Sequence, residues 1–188
     1  MNRLIILTLF PVLVMFALSV LQVNAQEKPL MKEPATVDSV DLERYAGTWY
    51  EIAKIPNRFQ RKCSRNTTAT YRLRSDGRID VVNRCVDDSG NIIEARGIAK
   101  TSDPETNAKL KVSFVRLFGI SLFWGDYWII GLDRDYSYAV IGTPSRKYGW
   151  ILSRAPVMSE TDLADAFVIL EEQGYDPDDF EKSAQEER

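Results

Sequence analysis

Gly47-Thr48-Trp49-Tyr50 decides how this 188-residue chain is read. The glycine precedes a tryptophan by two positions, and the run 48–55 is rich in aromatic and β-branched residues, which predicts a strand. Far downstream, Tyr148-Gly149-Trp150-Ile151-Leu152-Ser153-Arg154 reads as another strand, ending on an arginine. If the first and last strands of a barrel lie side by side, the Trp49 indole and the Arg154 guanidinium can stack. Such a cation–π contact contributes about 0.5–1 kcal/mol when exposed and ~2 kcal/mol when desolvated. Arginine also keeps donors for nearby backbone carbonyls, which lysine would place less well. The pair would plug one end of the barrel and leave a cup at the other.

The totals bound the function. With 45% hydrophobic and 27% charged residues, the chain suits one globular domain with a sizeable core. Its net charge of −3 gives no support to nucleic-acid binding. There is no histidine, which excludes Ser-His-Asp and Cys-His catalysis. Only Cys63 and Cys85 remain as soft ligands, so neither a metal nor a cofactor is expected.

Arg3, an apolar run to Leu21, and small residues at Val23 and Ala25 read as a secretory signal spanning 1–25. The alternative is an uncleaved anchor, because the apolar run is just long enough to span a bilayer. Residues 26–39, with Pro29 and Pro34, read as a flexible leader. Residues 40–180 form the domain, and 181–188 a frayed polar tail. Asp41-Leu42-Glu43-Arg44-Tyr45 predicts a short helical turn. Eight strands follow, at 48–55, 66–74, 79–86, 92–100, 110–115, 127–132, 138–142 and 148–154. Ser75-Asp76-Gly77-Arg78 is a tight hairpin signal. Ser159-Glu160-Thr161-Asp162 then resembles a capping box, Leu163, Phe167 and Leu170 form a helical stripe, and Gly174 stops it. Antiparallel strands so spaced fit a sandwich or a closed barrel, and the strand pattern does not choose between them.

The G-x-W-Y motif, Asp126-Tyr127 opening a strand in the second half, and the lone Arg154 closing the last strand resemble the lipocalins. The similarity is closest to the bacterial outer-membrane lipocalins and their apolipoprotein D and plant stress-lipocalin relatives, and it covers 40–180. It implies an all-β fold: an eight-stranded antiparallel up-and-down β-barrel, the lipocalin calyx, with one C-terminal α-helix packed outside. It implies a carrier and not an enzyme, holding a fatty acid or lysophospholipid for membrane lipid maintenance. Export to the periplasm or outer membrane goes with the bacterial members, and secretion with the others. The bacterial members usually carry a lipid-modified cysteine after the leader, whereas no cysteine here precedes Cys63. Two other readings stay open: an enzyme on this barrel using Glu51 or tyrosines, and an interaction module using an apolar rim loop, with a membrane or a second copy as partner.

Strand parity turns the Gly47, Trp49 and Arg154 signature into a lining. Inward residues are then Glu51 and Ala53 on the first strand, and Tyr148, Trp150 and Leu152 on the last. Leu110, Val112 and Phe114 alternate with polar neighbours, and Tyr127 and Ile129 face in while Trp128 and Ile130 cover the helix stripe. The predicted ligand-binding set is Ala53, Tyr71, Val112, Phe114, Tyr127, Ile129, Trp150 and Leu152. Small Ala95, Gly97 and Ala99 on one face of the fourth strand favour a cavity over a filled core. Glu51 is the odd member, since a buried lone carboxylate is costly. It binds a tyrosine hydroxyl or a ligand head group, or twists out to solvent.

Loops of an up-and-down barrel alternate between its ends, so Cys63, after strand one, and Cys85, near the end of strand three, meet at the open rim. An even cysteine count in an exported chain then predicts a disulfide, worth about 3 kcal/mol in the chain-entropy model. The run Leu117-Phe118-Gly119-Ile120-Ser121-Leu122-Phe123-Trp124 falls at the same rim. It either folds into the mouth or forms a lip for lipid entry, membrane contact or a second copy, with Leu117, Phe118, Leu122, Phe123 and Trp124 as contacts. Arg58, Arg61, Lys62 and Arg65, placed beside it, can meet a phosphate head group.

Overall fold

The computed structural model describes residues 32–186. The signal segment 1–25 and the first part of the leader lie outside the described residues. A short helix, α1 (Leu42–Tyr45), is capped by the Asp41 carboxylate, which accepts from the amides of Glu43 and Arg44. It precedes β1 (Gly47–Lys54), β2 (Arg65–Leu73), β3 (Ile79–Val86), β4 (Ile92–Thr101) and β5 (Lys109–Ser113). A small hairpin, β6 (Val115–Leu117) and β7 (Ile120–Leu122), replaces the plain loop expected there. The wall continues through β8 (Gly125–Leu132), β9 (Tyr138–Gly142) and β10 (Gly149–Ser153). Helix α2 (Glu160–Glu172) and a two-residue strand, β11 (Glu181–Lys182), end the chain.

Every wall pairing is antiparallel between sequence neighbours, and β10 returns to β1 with Tyr50 opposite Ser153. Closure removes the free sheet edges that an open sheet would leave. The eight expected strands and the closed barrel are therefore both present. Inside lies one apolar cluster, including Trp49, Tyr71, Val81, Leu110, Ile129 and Ile141. Outside, Trp128, Ile130, Val140 and Ile151 meet Ala166 and Leu170 of α2, with Leu163 and Phe167 at its margin. The Ser159 hydroxyl accepts from the Asp162 amide, so the helix begins where its sequence signal lies.

One parity expectation fails at a β-bulge. In the β1–β10 ladder Glu51 faces Leu152, but the next pair is Ala53 with Ile151, so Ile52 is the extra residue. The extra residue flips Ala53 to the outer cluster, fully buried under the helix layer, and it does not line the barrel. Both chain ends also differ from expectation. From Lys32 on, the leader is tied down: the Ala35 amide donates to the Gln173 side chain and the Val37 amide to the Ile129 carbonyl. The tail does not fray at Glu181, because β11 pairs with Ala53 and Lys54 of β1.

Candidate functional site

The floor of the barrel is built as the sequence motif predicts. The Arg154 guanidinium lies 3.8 Å from the centre of the fully buried Trp49 ring. Its nitrogens donate to the carbonyls of Thr48 at 3.1 Å, Arg44 at 2.6 Å and Tyr45 at 3.2 Å. The Trp49 indole N–H donates to the same Tyr45 carbonyl, so plug and helix α1 form one unit. Gly47 adopts φ +97°, and a Cβ there would stand 3.1 Å from the Arg154 guanidinium. Both the backbone conformation and the approach of the arginine require glycine.

Above the floor the barrel opens. Along the inward face of β4, Ala99 is buried, Gly97 half-buried and Ala95 exposed. Its neighbour β5, with Phe114 just past its end, repeats the gradient: Leu110 is buried, Val112 half-buried and Phe114 42% exposed. Side chains that point inward yet meet water can do so only through an open mouth. The Phe114 ring lies over Gly97, whose Cβ, if present, would stand 2.7 Å from that ring. Tyr71, Val112, Tyr127, Ile129, Trp150 and Leu152 all join the inner cluster. Ile129 sits in the closed part, while Phe114 stands at the rim.

Polar groups inside are few. The Tyr71 hydroxyl donates to Tyr127 at 3.0 Å, and the Tyr45 and Tyr127 hydroxyls share a hydrogen bond of 2.7 Å. Three phenols with two bonds between them leave one proton unused. Burial pushes the Tyr71 hydroxyl up to about 12 and raises those of Tyr45 and Tyr127 well above their usual value, so all three remain neutral donors. The Asn83 Oδ1, two ladder positions above the Val81–Tyr71 pair and so on the same face, is buried with no partner among the described residues. Among the described residues the interior therefore offers an apolar wall with an unused phenol proton and an unpartnered amide oxygen.

Glu51 takes none of the roles anticipated for it. It is buried and held by Lys54 Nζ at 2.9 Å, by the Ser183 hydroxyl at 2.6 Å and by the Gln60 amide. A buried carboxylate is tolerated because an ammonium and two further donors surround it. Gln60 also accepts from the Trp150 indole at 3.0 Å. Gln185 bridges the carbonyls of Glu51 and Thr67. This knot joins the β1–β2 loop to the C-terminal tail, and Gln60, Ser183 and Gln185 had no sequence signal. Polar residues in a loop and tail are legible only once the strand they serve is placed.

Cys63 and Cys85 form the expected disulfide, with Cα atoms 5.5 Å apart. The apolar rim run is a lip and does not fold inward. Phe118 is 95% exposed and Phe123 82%, with Leu117 also exposed. Leu122 and Trp124 are half-buried, the latter under Lys100 Nζ at 4.5 Å from the ring centre. The hairpin turn puts Phe118 at φ 48° before Gly119 at φ 82°, a conformation that a phenylalanine adopts at a cost of about 1 kcal/mol. The basic loop with Arg58, Arg61, Lys62 and Arg65 shares this end of the barrel but is not beside the lip. The β1–β2 and β5–β8 connections lie half-way round the barrel from each other.

A closed, helix-backed barrel with a plugged floor and an open apolar cup defines a small-molecule-binding protein of the calyx type. The family model of the lipocalin-like domain matches residues 40–185. The chain is 42% identical over 157 residues to temperature-induced lipocalin-1 of Arabidopsis thaliana, covering 82% of this chain and 84% of that one. It is 41% identical to the outer membrane lipoprotein Blc of Escherichia coli K12, covering 77% and 78%. It is 30% identical to mouse apolipoprotein D, covering 76% of each. Insecticyanin from the tobacco hornworm shares the fold, with TM-score 0.65, 23% identity and coverage of 81% and 84%. The chain belongs to the lipocalin family, whose members bind small hydrophobic ligands.

Proposed function

We propose that the protein is an exported carrier that takes a single-chain lipid, a fatty acid or lysophospholipid, into the cup for membrane lipid maintenance in the cell envelope. The observation that carries this reading is the parallel gradient on β4 and β5, from buried Ala99 and Leu110 to exposed Ala95 and Phe114. An acyl chain laid along that slope gains roughly 0.8 kcal/mol per buried methylene. Micromolar binding, about −8 kcal/mol, then needs only part of the tail after association costs. Tyr71, Val112, Tyr127, Trp150 and Leu152 line the route, with Phe114 at its entrance. The apolar N-terminal segment and the name of the Blc relative support export. The lip, with Phe118 fully presented, suits contact with the membrane from which the tail is taken.

The test is lipid binding to the mature domain and to Ala95→Trp. Lysophospholipid should change the tryptophan emission of the parent protein and raise its melting temperature. Ala95→Trp fills the open half without touching the closed floor, so it should fold normally and lose binding. Equal binding by both proteins would place the lipid on the lip and refute the cup assignment.

A further inference from the structure

We propose that the cleft between the β1–β2 loop and the C-terminal strand is a binding site for a phosphate ester. The cleft has a volume of about 550 Å³, walled on one side by Lys54, Arg58, Arg61 and Arg65 and on the other by residues 181–184. Five cationic side chains, the four above and Lys182, face a single lining carboxylate, Glu181. The chain as a whole carries −3, so the cleft reverses the sign of the molecule locally.

The cations divide into held and available groups. Lys54 is taken by Glu51, and Arg65 by Glu186 at 2.9 Å. Arg58 stacks on the Phe59 ring at 5.0 Å, which leaves its donors unused. Arg61 and Lys182 have no ion pair among the described residues. Three exposed cations thus line one volume with little to neutralise them, which gives the cleft a positive potential. A guanidinium fork matches carboxylate and phosphate alike, but the additional oxygens of a phosphate let two forks and an ammonium hold it at once. The volume exceeds that of a bare phosphate and leaves room for its alcohol.

The walls are fixed before any ligand arrives. The loop is stapled by Cys63–Cys85, and the tail is fastened by Gln185 and by Ser183 on Glu51. A site built on such walls loses little freedom on binding. Glu186 already places a carboxylate on Arg65, so it acts as an internal competitor for any anion. The cleft also touches the cup: Gln60, a lining residue, accepts from the Trp150 indole, and Lys54 pairs in register with Trp150.

Titration calorimetry on the mature protein tests the site with inorganic phosphate, glycerol 3-phosphate and a single-chain lysophosphatidic acid, with monoacylglycerol as the phosphate-free comparator. The double variant Arg61→Glu, Lys182→Glu changes only exposed side chains. It should weaken glycerol 3-phosphate by about tenfold or more, and the parent's affinity should fall with salt. Glu186→Gln should strengthen it. If the double variant weakens lysophosphatidic acid and the soluble phosphates do not bind, the site is the seat for a lipid headgroup. Phosphate compounds that bind neither protein, or both with one affinity, would overturn the proposal. Monoacylglycerol should bind parent and double variant alike, so a failed cleft is distinguishable from a failed cup.

Discussion

The two ends of this barrel solve opposite problems with the same residue types. At the floor, a half-buried arginine stacks on a fully buried tryptophan and donates to three backbone carbonyls. At the rim, arginines and aromatics stand in solvent: Arg61 is exposed and makes no ion pair among the described residues, and Phe118 is 95% exposed. Burial is what separates the two, since a desolvated contact is stronger and an unmade one costlier. The floor is therefore where sequence changes should act on stability, and the rim, on the function proposed above, where they should act on binding.

Arg154→Ala attacks that contrast hardest. It removes the stack and three hydrogen bonds to carbonyls, of which that of Tyr45 keeps another donor, the Trp49 indole, and should lower stability by about 4 kcal/mol. Arg154→Lys should recover only part of this. Chemical denaturation measures both, and an unchanged midpoint would show the floor to be no firmer than the rim. Replacing Cys63 and Cys85 together with serine should cost about 3 kcal/mol, the largest stability effect available at the rim. A loss equal to that of Arg154→Ala would blur the two ends.

Alkali probes the floor without mutation. The Tyr71 hydroxyl is raised to about 12 by burial and by its proximity to Glu51. The folded state holds that proton at pH values where the unfolded chain, titrating near 10, has lost it. Stability should be unaffected by Tyr71 below pH 10 and should fall by up to roughly 1.4 kcal/mol per pH unit as pH rises from about 10 to 12. A melting temperature that is level across that interval would mean that water reaches the phenols. The smallest effect on stability belongs to the lip. Phe118→Ser with Phe123→Ser should change stability by less than about 0.5 kcal/mol. Sedimentation with phospholipid vesicles should nevertheless show lost association, and retained association would remove the lip's assignment.

The floor was legible in the sequence because glycine, tryptophan and arginine each have few substitutes there. Strand parity carried the lining through β5 and β8, where no irregularity falls between the residues used. It failed at Ala53 because a bulge leaves no compositional mark: Ile52 and Ala53 suit either face of a strand. The 115–122 hairpin was hidden by its composition, since Phe118 occupies a turn position that glycine or asparagine would announce. The tail was misread for the opposite reason. Its residues are polar, which suggests solvent, but Ser183 and Gln185 spend their polarity on Glu51 and the β1 backbone.

The position of β1 has a consequence for biogenesis. It is the first wall strand to be synthesised, yet its partners on one side are β10, the last wall strand, and, at the rim, β11. The sheet can grow progressively from β1 through β9, but the seam cannot be sewn until β10 has been made, nor clasped until β11 follows. During that interval β1 presents an unpaired edge, and Glu51 lacks one of its donors. Chaperones that shield β-edges would have their longest opportunity there, and a chain cut just before Glu181 would keep both strands of the β1–β10 seam but lack the β11 clasp and the Ser183 donor to Glu51.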